Sequence, residues 1–284
     1  MRPILISMLL ALLIPAPGRA PLRVSAPPGT LQPGSVVLLT VAGDEPVPAL
    51  RARAFGRDLA PFPLDERTWQ VLVGIDLDVK PGRHAVEIET AGPATRVIHT
   101  LTVSPRRFPT RTLKVDPDLV NPPAEELPRI AREAEQLRRL WQSPAGAKLW
   151  DGPFVRPVPD AANSSFGTRS IYNGEARSPH GGTDFLSPSG RPIKAPNAGR
   201  VVLAATLYFT GGTVVIDHGR GVFSLFAHLS TVGVREADVV KTGDAIGEVG
   251  ATGRVTGPHL HWAVRVGGAR VDPLLLLAAL GPQP

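Results

Sequence analysis

Apolar and polar positions alternate in short runs over the first hundred residues. Ser35–Val41 (SVVLLTV), Ala49–Phe55 (ALRARAF), Trp69–Ile75, His84–Glu89 (HAVEIE) and Thr95–Val103 (TRVIHTLTV) are alternating or β-branched segments. Runs of this length and period predict strands. Pro-Gly pairs at Pro28-Gly29, Pro33-Gly34 and Pro81-Gly82 supply turns between them. Residues 21–104 are therefore expected to form an immunoglobulin-like β-sandwich. His84 and His99 fall within these strands and have no second ligand at a useful spacing, so each reads as an ordinary strand histidine.

The period then changes. Leu127, Ile130, Ala134, Leu137 and Trp141 recur at three- and four-residue intervals, which makes one apolar stripe on a helix. Asn121 is a candidate cap, Pro122 and Pro123 suit a first turn, and Glu125 and Glu126 favour the positive end of the helix dipole. Pro128 fits only if it falls early in the helix. Residues 105–150 thus read as a linker with a helix, expected to pack between two domains. From 151 to 284 strand-like runs return at Gly199–Ala205, Thr213–Asp217, Val222–Ala227 and His261–Val266, separated by glycine-rich turns. A mostly antiparallel β-sheet domain is expected there, so the whole chain is predicted to be mainly β.

At the start, Ile4–Ile14 is apolar apart from Ser7, follows Arg2, and ends in Pro15-Ala16-Pro17-Gly18-Arg19-Ala20. The run is short for a bilayer span and reads as a signal peptide over residues 1–20. The expected location is exported, in the periplasm or cell envelope, with no stable membrane insertion after signal cleavage. There is no cysteine, so neither disulfides nor a cysteine-linked lipid tether are expected. The formal charge is +6 and falls to +4 without Arg2 and Arg19. That mild excess suits an anionic polymer. The basic residues are scattered without interleaved aromatics, which argues against nucleic acid as a partner.

Five side chains in the last domain carry the chemistry: His180, Asp184, His228, His259 and His261. On a strand, residues i and i+2 share a face, so His259 and His261 should look into one groove with Leu260 buried behind. Gly181 and Gly182 argue against a helix between His180 and Asp184; a loop running into a strand lets both converge on one ion. Two imidazoles and a carboxylate form a usual catalytic zinc shell with one position open for water, and the remaining imidazole, with His228 as its companion, is then available for acid–base work. Without cysteine a thiolate structural site is excluded. His218, in Ile216-Asp217-His218-Gly219, reads as a structural histidine holding a turn.

The segments Ser178-Pro179-His180-Gly181-Gly182-Thr183-Asp184-Phe185, Ile193-Lys194-Ala195-Pro196, Phe226-Ala227-His228-Leu229-Ser230 and Gly250-Ala251-Thr252-Gly253 with Gly257-Pro258-His259-Leu260-His261 closely resemble the lysostaphin/LytM-type zinc metallopeptidases. The resemblance covers nearly all of residues 151–284. It implies a β-sheet groove holding one zinc ion (Zn2+), bound by His180, Asp184 and His261, with His228 and His259 as non-ligand catalytic histidines. It also implies endopeptidase action on the stem peptides of peptidoglycan. Phe226 stands where many relatives carry tyrosine, and Tyr172 and Asn173 are candidates to line the groove. A catalytically silent wall-binding or amidase-activating protein of the same fold is the alternative; such relatives typically lose zinc ligands, whereas every ligand position is filled here. The N-terminal domain is a candidate for intramolecular docking, including docking over the groove.

Overall fold

The structure, a computed structural model, describes residues 22–91, 95–114, 121–143, 146–164 and 166–281. The predicted signal peptide lies outside them. No helix among the described residues is long and apolar enough to cross a membrane.

The N-terminal region is two antiparallel four-stranded sheets. One orders Arg23–Ser25, Val36–Ala42, Thr68–Gly74 and Phe62–Pro63; the other orders Arg57–Leu59, Leu50–Ala54, Gly82–Thr90 and Arg96–Val103. Alternate residues from both sheets, among them Val37, Leu39, Val71, Ala52, Val86 and Ile88, form one buried cluster. The sequence Val36-Val37-Leu38-Leu39 does not alternate, and the reason lies on its other face. Val36 and Leu72 point away from that cluster and enter the core of the C-terminal region, together with Phe62, Trp150, Val266, Ala269 and Leu276. Each large side chain so buried stabilises by about 2 kcal/mol. The contact is close enough to require glycine at position 74, where a Cβ would lie 2.7 Å from the Val266 carbonyl oxygen.

Two ion pairs frame this shared core. Arg270 Nη2 donates to Asp76 Oδ1 at 2.7 Å and the Arg270 amide donates to Asp76 Oδ2 at 2.8 Å. Burial pushes the Asp76 carboxyl up, but the hydrogen bonds from Arg270 outweigh it and hold the group below its ordinary value. Arg106 Nη2 donates to Asp272 Oδ2 at 2.7 Å. Asp272 also caps the final helix, Pro273–Leu280, by accepting from the Leu274 amide at 3.0 Å.

The C-terminal region is built on a ten-stranded sheet. Its main path runs Ala162–Ser164, Gly182–Phe185, Leu260–Val266, Val222–Val232, Gly211–Gly219, Gly199–Leu207 and Val239–Val240, every pair antiparallel. Period two is plain in Leu260–Val266. Leu260, Trp262, Val264 and Val266 face the main core, and Ala263 packs on the opposite face.

The helix forms over Leu127–Trp141 after a 3-10 turn at Ala124–Glu126. It starts too late for Asn121 to cap it, and Pro128 sits at its second position, where no intrahelical donor is lost. Leu137, Leu140 and Trp141 pack on Leu203, Leu207, Phe223 and Leu225. The helix therefore lies against one face of the sheet, and its C-terminal end, with Arg138 and Trp141, lines a cavity together with Arg57, Leu59 and Leu72 of the sandwich. The first part of its apolar stripe stays outside the core: Leu127 is 51% exposed. Polar contacts hold this end instead, with Glu133 accepting from the Tyr208 amide at 2.8 Å and from Arg129 Nε at 2.8 Å.

Candidate metal centre and groove

His180 precedes the Gly182–Phe185 strand and Asp184 lies within it; the Leu260–Val266 strand pairs alongside, with Asp184 directly opposite His261. This register brings three donors together. His180 Nε2 is 3.1 Å from Asp184 Oδ1 and 3.0 Å from His261 Nδ1, and His261 Nδ1 is 2.8 Å from Asp184 Oδ1. Those three residues are a group that could hold a metal ion. The separations approach the edge of about 3.3 Å expected of a tetrahedron with ligands at about 2.0–2.1 Å, so the donor set fits such an ion. Position 182 must be glycine, because a Cβ there would come within 2.8 Å of the His261 ring.

Burial pushes the Asp184 carboxyl up, yet hydrogen bonds with His180 and His261 hold it far below the usual carboxylate range. Burial is also the main influence that lowers the His261 imidazole. An ionised carboxylate and a neutral ring are the forms in which these groups ligate metal.

The two other expected histidines stand beside this group. The His228 and His259 rings are 4.8 Å apart and those of His228 and His261 are 6.1 Å apart, centroid to centroid. His259 Nε2 is 3.9 Å from Asp184 Oδ1. His228 Nδ1 contacts the Thr252 carbonyl at 2.9 Å, and His259 Nδ1 contacts the Gly257 carbonyl at 2.9 Å. A carbonyl only accepts, so in each neutral ring Nδ1 carries the hydrogen and Nε2 keeps its lone pair. Burial brings His228 down to about 4, which leaves it a neutral acceptor at pH 7.

Strict alternation would aim His228 the wrong way. Phe226 faces the main core, stacked on Trp262 with 3° between the ring planes. Two residues on, His228 should follow it. Instead Leu229 occupies the core side, and His228 adopts φ 68° at an irregularity in the register. This bulge inserts one residue and turns the imidazole to the groove. Phe226 itself lies wholly in the core, away from the groove.

The groove walls include Arg111, Tyr172, Leu186, Phe209 and Arg254. Tyr172 lines it as expected. Asn173 does not, because it turns the hairpin between Arg169–Tyr172 and Glu175–Ala176 in the left-handed region, φ 51°. Arg111 and Arg254 were not anticipated. Arg254 could have been found, since it lies between the Gly250–Gly253 and Gly257–His261 segments. Arg111 carries no local signal; it arrives on a strand, Thr110–Leu113, that pairs in parallel with Arg169–Tyr172. None of the described residues lining the groove comes from positions 22–104, and the sandwich packs on the body of the C-terminal region through Val36, Phe62 and Leu72.

His218 lies outside this centre. Its Nδ1 donates to the Ala198 carbonyl at 2.8 Å, its Nε2 is 3.0 Å from Ser224 Oγ, and the ring is fully buried. Burial takes it from an ordinary 6.5 down to about 4. Because the folded value is below the unfolded one, its contribution to stability is complete above about pH 6.5 and drains away as pH falls toward about 4. A histidine-resolved NMR titration should find this ring neutral below pH 5; a midpoint near 6.5 would contradict the assignment.

Comparison with known proteins agrees with this geometry. The model of Peptidase family M23 matches residues 178–273. Peptidoglycan DD-endopeptidase ShyA of Vibrio cholerae is 39% identical over 113 residues, which are 39% of this chain and 26% of that protein. DD-carboxypeptidase/endopeptidase Mpg of Neisseria meningitidis is 41% identical over 95 residues, 34% of this chain and 22% of that one. The chain thus spans about a quarter of the length of these curated relatives. A crystal structure from Pseudomonas aeruginosa, assigned to peptidase M23, is 33% identical and superposes with a TM-score of 0.71 over 88% of this chain and 96% of that one.

Proposed function

The chain belongs to peptidase family M23, and from that premise we propose that it is an exported, zinc-dependent endopeptidase hydrolysing peptide cross-links of bacterial peptidoglycan. The observation that carries the reading is the convergence of His180 Nε2, Asp184 Oδ1 and His261 Nδ1 within 3.1 Å of one another, beside two imidazoles that are not part of the donor set. His180, Asp184 and His261 would hold the zinc, which when bound supplies a Lewis acid and a water of lowered pKa. His228 and His259, each with Nδ1–H tied to a carbonyl, present Nε2 as a base. One ring takes the proton of the attacking water and, once protonated, serves as the acid toward the leaving amine; the other accepts a hydrogen bond from the same water and orients it.

Export rests on the apolar run within residues 1–20 and on a wall substrate. The N-terminal sandwich is read as immunoglobulin-like because its strand orders, first-second-sixth-fifth and fourth-third-seventh-eighth, follow the alternation of that fold. A complete donor set weighs against the alternative of a silent wall-binding or amidase-activating protein. Isolated peptidoglycan incubated with zinc-loaded full-length protein should release peptides with new amino termini, and a chelator should stop the release. Intact wall in that assay, with the protein still binding it or activating an amidase, would sink the enzyme reading.

A further inference from the structure

We infer that Glu133, on the helix Leu127–Trp141, is a positioning residue for His228: its carboxylate fixes the turn at 208–210, and that turn holds the imidazole toward the groove. The inference rests on the endopeptidase reading. It places part of the support for catalysis outside residues 178–273, the stretch that the family model matches.

The turn closes the hairpin between Gly199–Leu207 and Gly211–Gly219, whose last pair is Leu207 opposite Gly211. Beyond that pair the ladder offers the Tyr208 amide no acceptor, and Glu133 Oε2 accepts from it at 2.8 Å. The carboxylate is itself held in place. Arg129 Nε donates to Glu133 Oε1 at 2.8 Å, while Arg129 Nη2 donates to the Thr206 carbonyl at 3.3 Å. Only 16% of the Glu133 side chain is exposed, so these bonds form at the contact between helix and hairpin. Hydrogen bonds to an ionised acceptor are the stronger kind.

The far end of the turn reaches His228. The Thr210 carbonyl accepts from the His228 amide at 2.8 Å, and the Phe209 carbonyl accepts from the Arg254 amide at 3.0 Å. Turn and loop meet without room for a side chain: a Cβ on Gly211 would lie 2.3 Å from Thr252 Oγ1, and one on Gly253 would lie 2.6 Å from the Phe209 carbonyl oxygen. Thr252 Oγ1 accepts from the Gly212 amide at 2.8 Å, and the Thr252 carbonyl accepts from His228 Nδ1 at 2.9 Å. His228 is thus gripped by its amide from the turn and by its ring from a loop packed on that turn.

The grip matters because His228 sits at φ 68°. A residue with a Cβ keeps that conformation only where its surroundings over-determine it. Relaxation to ordinary strand dihedrals would return the ring to the side that Phe226 and Leu229 occupy, away from the groove. Glu133 is the outermost support in this series. Its removal leaves Leu137, Leu140 and Trp141 packed on the sheet, so the helix stays and the turn loosens.

The test uses zinc-loaded full-length protein with Glu133→Ala, Glu133→Met and Glu133→Gln. Alanine and methionine both remove the acceptor, so the result does not hang on the folding of one variant; glutamine keeps an oxygen for the Tyr208 amide. Hydrolysis of a cross-linked wall peptide is measured beside the proton resonance of the His228 Nδ1–H, which its bond to Thr252 shields from exchange. Glu133→Ala and Glu133→Met should lose about tenfold or more in kcat, as displacement of a reacting group from a distance does, with KM within about twofold and zinc content unchanged. The resonance should broaden or vanish in both. Glu133→Gln should keep the resonance and most of kcat. Wild-type kcat and resonance in the alanine and methionine variants, a loss that glutamine shares in full, or an effect confined to KM overturns the inference and leaves the endopeptidase reading standing. If wild type cuts no wall peptide but the resonance follows this pattern, the endopeptidase reading falls and the positioning of His228 by Glu133 stands.

Discussion

Replacing His180 with alanine is expected to empty the metal centre and reduce hydrolysis to background. His180 supplies one of three donors whose separations are 2.8–3.1 Å. A catalytic zinc held by three protein ligands has no spare donor, so losing one leaves two ligands and water. Asp184 also loses a hydrogen bond that keeps it ionised. The fold should survive, because His180 stands at the start of the strand and its backbone amide still donates to the Thr168 carbonyl at 2.9 Å. Zinc measured after dialysis should drop from near one ion per chain to near none, with an unchanged circular dichroism spectrum. A His180→Ala protein that keeps both zinc and activity would remove this residue from the donor set.

The second large effect is at His228. Its ring lies 4.8 Å from that of His259 and outside the donor set, so its removal should spare the metal and cost catalysis, by about 10²–10⁴-fold for a lost acid–base group. Backbone geometry decides which replacement to use. At φ 68° any residue with a Cβ bears a left-handed strain of about 1 kcal/mol, and alanine has no polar side chain to offset it. Asparagine tolerates that conformation, so His228→Asn isolates the chemistry. The loss should appear in kcat at full zinc occupancy. Zinc loss in His228→Asn, at a wild-type melting temperature, would instead make His228 a ligand and contradict the roles given to the five side chains.

The sequence made these side chains legible to unequal degrees. His261 was readable because period two needs only its neighbours: Leu260 and Trp262 are buried on one face, and His261 is on the other. His228 was readable as a residue but not as a direction, since the bulge that turns it depends on a register shift against the Gly211–Gly219 strand. The longer strands of the sandwich appeared in the alternation within a residue or two. Arg23–Ser25, Arg57–Leu59 and Phe62–Pro63 did not, because two or three residues carry no period. The helix was visible in its apolar stripe, but its packing side was not, since only Leu137, Leu140 and Trp141 of its face meet the sheet. Arg111 was invisible for a different reason: its partner Ser170 is 59 positions away, and no local pattern encodes such a pairing.

Val36, Phe62 and Leu72 pack in the same core as Trp150 and Val266, and this has a consequence for how the molecule comes apart. Neither half can melt without baring the apolar surface of the other, so heating should give a single endotherm whose calorimetric and van't Hoff enthalpies agree. Cutting the chain near Asp151 would strand that surface in solvent and invite aggregation, with the Thr110–Leu113 edge lost as well. Selection on the half that carries the metal centre therefore constrains the first hundred residues too, as part of one cooperative unit.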